Sequence, residues 1–117
     1  MSLKGILVWI ILLAGFIFFP ADKTFAQRIN PCMAYGSVYV ETQKERADLY
    51  VYVEEVETFA DVVVFRQDNN FYADKAGQWY MTDSRSNADF SIYFVNSKSL
   101  ADISIFYTDT ESFARCN

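Results

Sequence analysis

The dipeptide Ala-Asp stands at Ala47-Asp48, Ala60-Asp61, Ala73-Asp74, Ala88-Asp89 and Ala101-Asp102, so successive copies are 13, 13, 15 and 13 residues apart. Stepping outward by 13 reaches Ala34 at one end and Ala114 at the other. A fixed interval of this kind constrains a chain more than its composition does, because each unit has to adopt one local conformation and pack against its copies.

Aligned on the Ala, with two extra residues near Lys75-Ala76 in the 15-residue unit, the fifth position reads Val38, Val51, Val64, Trp79, Ile92 and Ile105. The sixth is aromatic throughout: Tyr39, Tyr52, Phe65, Tyr80, Tyr93 and Phe106. Runs such as "LYVYV", "VVVF" and "FSIYFV" are β-branched and aromatic, which predicts strands of about six residues, covered at least in part on both faces. The ninth position holds Thr42, Glu55, Asp68, Asp83, Asn96 and Asp109, mostly residue types that cap a helix or open a turn. Four residues later come Arg46, Phe59, Tyr72, Asn87, Leu100 and Phe113, each followed by the Ala. The pattern predicts one helical turn whose long side chain points inward and whose Ala lies close to a neighbouring strand. The Asp then opens the next strand, where its carboxylate can bond exposed backbone N–H groups.

Connections of about seven residues fall short of the dozen or more that an ordinary parallel crossover takes. Successive strands are therefore expected to fold back as antiparallel neighbours or to pass into different layers. The outer units look like the inner ones, which favours a closed winding over an open rod with polar caps.

Ahead of the repeats, Lys4 precedes an apolar run from Gly5 to Phe19 and a short polar stretch ending at Ala26. This is the layout of a secretory signal peptide over residues 1–26, cleaved before Gln27, with residues 27–117 as one domain. A retained membrane anchor is the alternative, although the run is shorter than the roughly 20 residues that span a bilayer. The expected location is secreted or periplasmic, with no membrane association after cleavage. The chain carries a formal net charge of −5; losing Lys4, Lys23 and Asp22 with the leader makes it −6. That balance excludes a nucleic-acid partner, whose phosphates want clustered Lys and Arg. Cys32 and Cys116 bracket nearly the whole domain. In an oxidising compartment their simplest state is a disulfide, with free thiols or bonds to other chains as the alternatives.

The chain contains no His, which removes the usual general base and the commonest metal ligand. Triads built on His are impossible, and "GQWYM" is no phosphate-cradling loop. No catalytic residue, cofactor or metal site is assigned. The in-phase Asp48, Asp61, Asp74, Asp89 and Asp102 invite a calcium reading, but calcium loops alternate oxygen ligands around a Gly, and here each Asp stands between Ala and an apolar strand. Backbone capping is the expected use. Tyr39, Tyr52, Tyr80 and Tyr93 share one phase and can line one face, either as packing or as a surface on which sugars stack.

Units of the form "VETQKERADLYVYV", "MTDSRSNADFSIYF", "VNSKSLADISIFY" and "TDTESFA" resemble the septoil-knot family, small bacterial domains named for a seven-crossing knot. The similarity runs from about Gly36 to Ala114, and "GQWYMTDSRSNAD" is its most recognisable segment. What the resemblance implies is a chain that winds about itself so that short strands and helical turns interlace. Arg115 departs from the pattern by standing where other units have Asp, and the Cys pair is not carried over from the family. The expectation is a monomeric, β-rich α+β domain of about six 13-residue repeats, compact and knotted. Its expected role is that of a non-enzymatic exported module, structural or binding, with recognition of glycans or a protein partner through aromatic residues as the alternative.

Overall fold

A computed structural model describes residues 30–117; the expected signal peptide lies outside the described residues. Seven strands alternate with seven one-turn 3-10 helices. The strands are β1 (Gly36–Val40), β2 (Leu49–Val53), β3 (Val62–Arg66), β4 (Gln78–Met81), β5 (Phe90–Phe94), β6 (Ile103–Tyr107) and β7 (Arg115–Cys116). The helices are η1 (Pro31–Met33), η2 (Lys44–Arg46), η3 (Glu57–Phe59), η4 (Asn70–Tyr72), η5 (Arg85–Asn87), η6 (Lys98–Leu100) and η7 (Glu111–Phe113).

All strands but one are parallel, in the order β4-β1-β5-β2-β6-β3, and β3 pairs again with β4 to close a six-stranded barrel. β7 adds to β3 in the antiparallel sense. The chain thus goes round twice: β1, β2 and β3 take alternate places, and β5 and β6 fill the gaps between them.

The expectation of antiparallel neighbours or separate layers is therefore overturned, and the register shows why. β1 ends at Val40 and β2 begins at Leu49, and both residues lie opposite Ile92. Val53 and Val62 share Ile105, Met81 and Phe90 share Val38, and Phe94 and Ile103 share Val51. The stagger is so steep that the end of one strand and the start of the next face the same residue of the strand between them. The connection has only to step over that strand, about 10 Å at two inter-strand spacings, with no return along the strand's length. Residues 41–48 do so over β5, held by Glu41 N–H donating to the Ile92 carbonyl at 2.7 Å and Asp48 N–H donating to that of Ser91 at 3.0 Å.

Alternation along the strands sends Val38, Val51, Val64, Trp79, Ile92 and Ile105 into the interior, where all six are fully buried. Leu49, Val62 and Ile103 fill the next layer, as inward residues do in closed barrels. Trp79 donates its indole N–H to the Ala34 carbonyl at 2.7 Å, which ties η1 to the core. Arg66 lies over the Tyr107 ring, 4.2 Å from its centroid.

The filled interior corrects the reading of the turns. Arg46, Phe59, Tyr72, Asn87, Leu100 and Phe113 do not point inward, and all six are exposed, Phe59 to 62% and Leu100 to 60%. The residue laid against the sheet is the Ala that follows: Ala60 and Ala73 are buried and Ala47, Ala88, Ala101 and Ala114 half-buried. The N-caps also fall one place later than expected, at Gln43, Val56, Asn69, Ser84, Ser97 and Thr110. Among these only Asn69 caps with its side chain, accepting from Phe71 N–H. A three-residue turn leaves few orphan donors, so the need for a cap is slight.

The longer connection, residues 67–77, occurs where the chain passes from its first circuit to its second and steps to the adjacent strand. Gly77 takes φ +83° there, and its carbonyl accepts from Phe65 N–H at 2.8 Å.

Candidate functional site

The recurrent Asp residues are distributed round the barrel rather than gathered in a hollow. Asp48 accepts from Ser91 N–H at 2.9 Å and Asp61 from Ser104 N–H at 2.9 Å. Asp89 accepts from Ser37 N–H and Asp102 from Tyr50 N–H, each at 2.7 Å. In each pair the Asp N–H also donates back to the partner's carbonyl, so a side chain extends the ladder by one rung past the strand's end. Asp74, in the irregular connection, has no such rung among the described residues. No group of three or more potential metal ligands converges there either.

A second set of contacts ties the connections of the two circuits together. Arg85, first residue of η5, meets Glu41 Oε2 at 2.8 Å and donates to the Arg46 carbonyl at 3.2 Å. Lys98, first residue of η6, repeats this with Glu54 Oε2 at 2.5 Å and the Phe59 carbonyl at 3.2 Å. Both glutamates are nearly buried, Glu41 6% and Glu54 9% exposed, and their Oε2 atoms have no other well-directed partner, so the cation is what compensates them. Hydrogen bonding to Glu54 raises the Lys98 pKa above the ordinary lysine value, with burial opposing it. The third rung joins Gln67 to Glu111 at 2.9 Å, and Gln67 also bonds Gln78.

The same position in η2 is Lys44. By the geometry of the other rungs its partner is the first residue of the neighbouring connection, and that residue is Val95. Here the surface opens into a cleft of about 440 Å³ lined by Lys44, Tyr50, Tyr93, Phe94, Val95, Asn96 and Leu100. Tyr50 and Tyr93 are register partners on β2 and β5, and their rings meet edge to face with centroids 6.0 Å apart. Elsewhere the outward residue at the Tyr50 position is the buried Ser37, Ser91 or Ser104, on which a connection packs closely, or Val63 or Gln78. A phenol in place of a hydroxymethyl is what builds the cleft's wall.

Of the four in-phase tyrosines, all are half-buried, and they lie on the adjacent strands β4, β1, β5 and β2. Register sets Tyr80 beside Ser37, Tyr39 beside Ser91 and Tyr52 beside Ser104, so among the described residues only Tyr93 of the four meets a second ring across the register. Tyr50 and Lys44 are the site residues that the phase argument misses. A smaller polar cleft, about 370 Å³, lies at the irregular step between Lys75, Gln78, Glu111, Ser112 and Ala114.

Cys32 and Cys116 form a disulfide, with Cα atoms 5.1 Å apart across a sequence separation of 84. The bond joins η1 to β7 and fits an oxidising compartment. Among the described residues no helix is long and apolar enough to cross a membrane. No curated protein and no solved structure matches the chain. Residues 31–117 match the 7(1) septoil knot domain, and the chain belongs to that family.

Proposed function

We propose that the protein is an exported, non-enzymatic module whose winding makes it resistant to unfolding and proteolysis outside the cytoplasm. The observation that carries this reading is the pairing of interleaved circuits with a disulfide between the two ends of the domain. Strands of the second circuit sit between strands of the first, so no terminal unit can peel away without disturbing the other circuit. Such cross-bracing raises the barrier to opening, which governs survival among proteases.

The finer fold reading belongs to the same proposal: the winding is a seven-crossing knot made by repeating one thirteen-residue unit. Family membership and the regular spacing of the strands support it. Secretion through the leader at residues 1–26 is supported by the disulfide. Catalysis is disfavoured because Asp48, Asp61, Asp89 and Asp102 are engaged with backbone amides and Glu41 and Glu54 with cations. The test is digestion by a broad-specificity protease, oxidised against reduced. The oxidised domain is expected to survive far longer than an unknotted domain of equal size, and the reduced domain to stay slower than that control. Digestion of both forms at the control's rate would overturn the proposal.

A second reading is favoured by one observation, the Tyr50–Tyr93 pair in an open cleft. On this reading the module binds a ligand there. Its volume lies within the roughly 300–1,000 Å³ of small-molecule sites.

A further inference from the structure

The protein supplies its own standard for the partner that Lys44 lacks among the described residues. At two equivalent places the cation that opens a second-circuit turn meets a nearly buried glutamate: Arg85 with Glu41, Lys98 with Glu54. At Lys44 the corresponding residue is Val95, and Val95 and Lys44 both line the cleft. The cleft's other departure from the repeat is Tyr50, where Ser37, Ser91 and Ser104 stand on other strands. Two substitutions, adjacent in space and distant in sequence, thus remove an acid and add an aromatic ring at one point of the barrel.

We propose that the cleft takes an acidic sugar, a uronic acid unit of a glycan, whose carboxylate occupies the place that Glu41 and Glu54 fill for Arg85 and Lys98. This rests on the ligand-binding reading of the cleft. Lys44 meets the carboxylate as a charge-assisted donor. The pyranose C–H face lies on the Tyr50 and Tyr93 rings, with Leu100 extending the apolar floor, as ligands with one apolar face and one polar edge require. The Asn96 side-chain amide, with a donor and an acceptor, is placed for the hydroxyls. A neutral sugar would use the rings and the amide but leave the cation unmatched. An anionic polymer without an apolar face would use the cation alone, on a chain whose net charge of −5 repels it.

The experiment titrates the oxidised domain with trigalacturonic acid and with its methyl ester, reading the Tyr50 and Tyr93 ring signals by NMR. The acid is expected to shift both rings and to bind about tenfold more tightly than the ester, the scale of one charge-assisted contact. Lys44→Ala should bring the acid down to the ester's affinity, whereas Tyr50→Ser, which installs the residue of Ser37 and Ser91, should abolish binding of both. Val95→Glu should supply the missing partner in cis, raise the melting temperature and exclude the acid. Equal binding of acid and ester would overturn the acidic-sugar assignment while leaving the cleft as a ligand site. Ring signals unmoved by either probe would overturn both. A peptide C-terminal carboxylate that displaces the trisaccharide at lower concentration would overturn the sugar in favour of a protein partner.

Discussion

Asp48 and Ser91 hold each other through a reciprocal pair of bonds: the Asp48 carboxylate accepts from Ser91 N–H at 2.9 Å, and Asp48 N–H donates to the Ser91 carbonyl at 3.0 Å. Asp61 and Ser104 repeat the arrangement thirteen residues on. A parallel ladder runs out of partners where a strand begins, and the carboxylate supplies one more acceptor for an amide already covered by the connection above it. Ser104 is only 2% exposed, so water does not replace a lost partner. Asp61→Ala and Asp48→Ala are each expected to cost about 1–3 kcal/mol, the scale of an orphaned buried donor. Asp74→Ala, which breaks no such rung, should stay within about 0.5 kcal/mol. Urea unfolding of the three variants checks this, and equal losses would show that the Asp residues stabilise by net charge or propensity instead.

Gly77 stands where the first circuit hands over to the second. Its φ of +83° is costly for any residue with a Cβ, and a Cβ there would come within 2.5 Å of the Val63 carbonyl oxygen and 2.6 Å of the Arg115 nitrogen. Both atoms are backbone of strands β3 and β7, which flank the entry of β4 and are paired with each other. Gly77→Ala is therefore expected to cost more than about 2 kcal/mol, backbone strain and steric conflict together. Its melting temperature and the hydrogen-exchange protection of Phe65 N–H, which donates to the Gly77 carbonyl, are the measurements. A loss of protection confined to β3, β4 and β7 is the expected pattern.

The strand positions and the central layer were legible because each follows from a strict local signal; the disulfide was only the simplest of several states open to two cysteines 84 residues apart. Val38 to Ile105 at the fifth position are fully buried since alternation and period agree. Parallel pairing was not legible. The length rule for crossovers assumes a return along the strand, and nothing in a single unit tells that Val40 and Leu49 will face the same Ile92. The outward Phe59 and Leu100 were missed because burial of large apolar residues is the ordinary expectation, and only a closed, already filled barrel leaves them no room. The cleft was half legible. Attention to where the repeat agrees found Tyr93, whereas Tyr50 and Val95 are visible only as departures from the pattern of Ser and Glu, and Lys44 stands out only once strand order makes it their neighbour.

Alkaline pH should unfold the domain through two groups acting in the same sense. Lys98 has its pKa raised, first by hydrogen bonding to Glu54, so it binds its proton more tightly in the folded chain than in the unfolded one. Its contribution is fully present below the ordinary lysine value of about 10.4 and is lost as pH climbs through the raised value. Tyr107 also has its pKa raised, by burial, with the Arg66 cation opposing. The unfolded chain ionises that tyrosine from about pH 10 while the fold keeps it neutral, so ionisation there also favours unfolding. Melting temperature is expected to fall above about pH 10. Tyr107→Phe should flatten the fall, and Lys98→Met should flatten it too while lowering the melting temperature at neutral pH, where Glu54 loses its partner. A flat profile for the unsubstituted protein between pH 9 and 11.5 would contradict both assignments.

The disulfide turns the proposed knot into a question with two separable answers. Joining Cys32 to Cys116 makes a covalent ring of nearly the whole domain. Cross-linking a loop of this length removes about 4–5 kcal/mol of chain entropy from the unfolded state on the loop-closure account, whether or not the ring is knotted. Faster refolding of the oxidised chain over the reduced one is expected for either topology, so it decides nothing alone. The order of operations does decide. A ring denatured without reductant keeps its crossings and should refold completely. A chain that is reduced, held in denaturant until it unties and then oxidised before refolding should form an unknotted ring of identical mass. That ring cannot reach the native barrel until its disulfide is opened again, because no motion of a closed loop changes its knot type. Separating the two rings by native chromatography and following recovery of the folded form after dilution checks this. If both rings regain the native state at the same rate, the interleaved circuits are wound without a knot, and resistance to proteolysis has to come from packing and the cross-link.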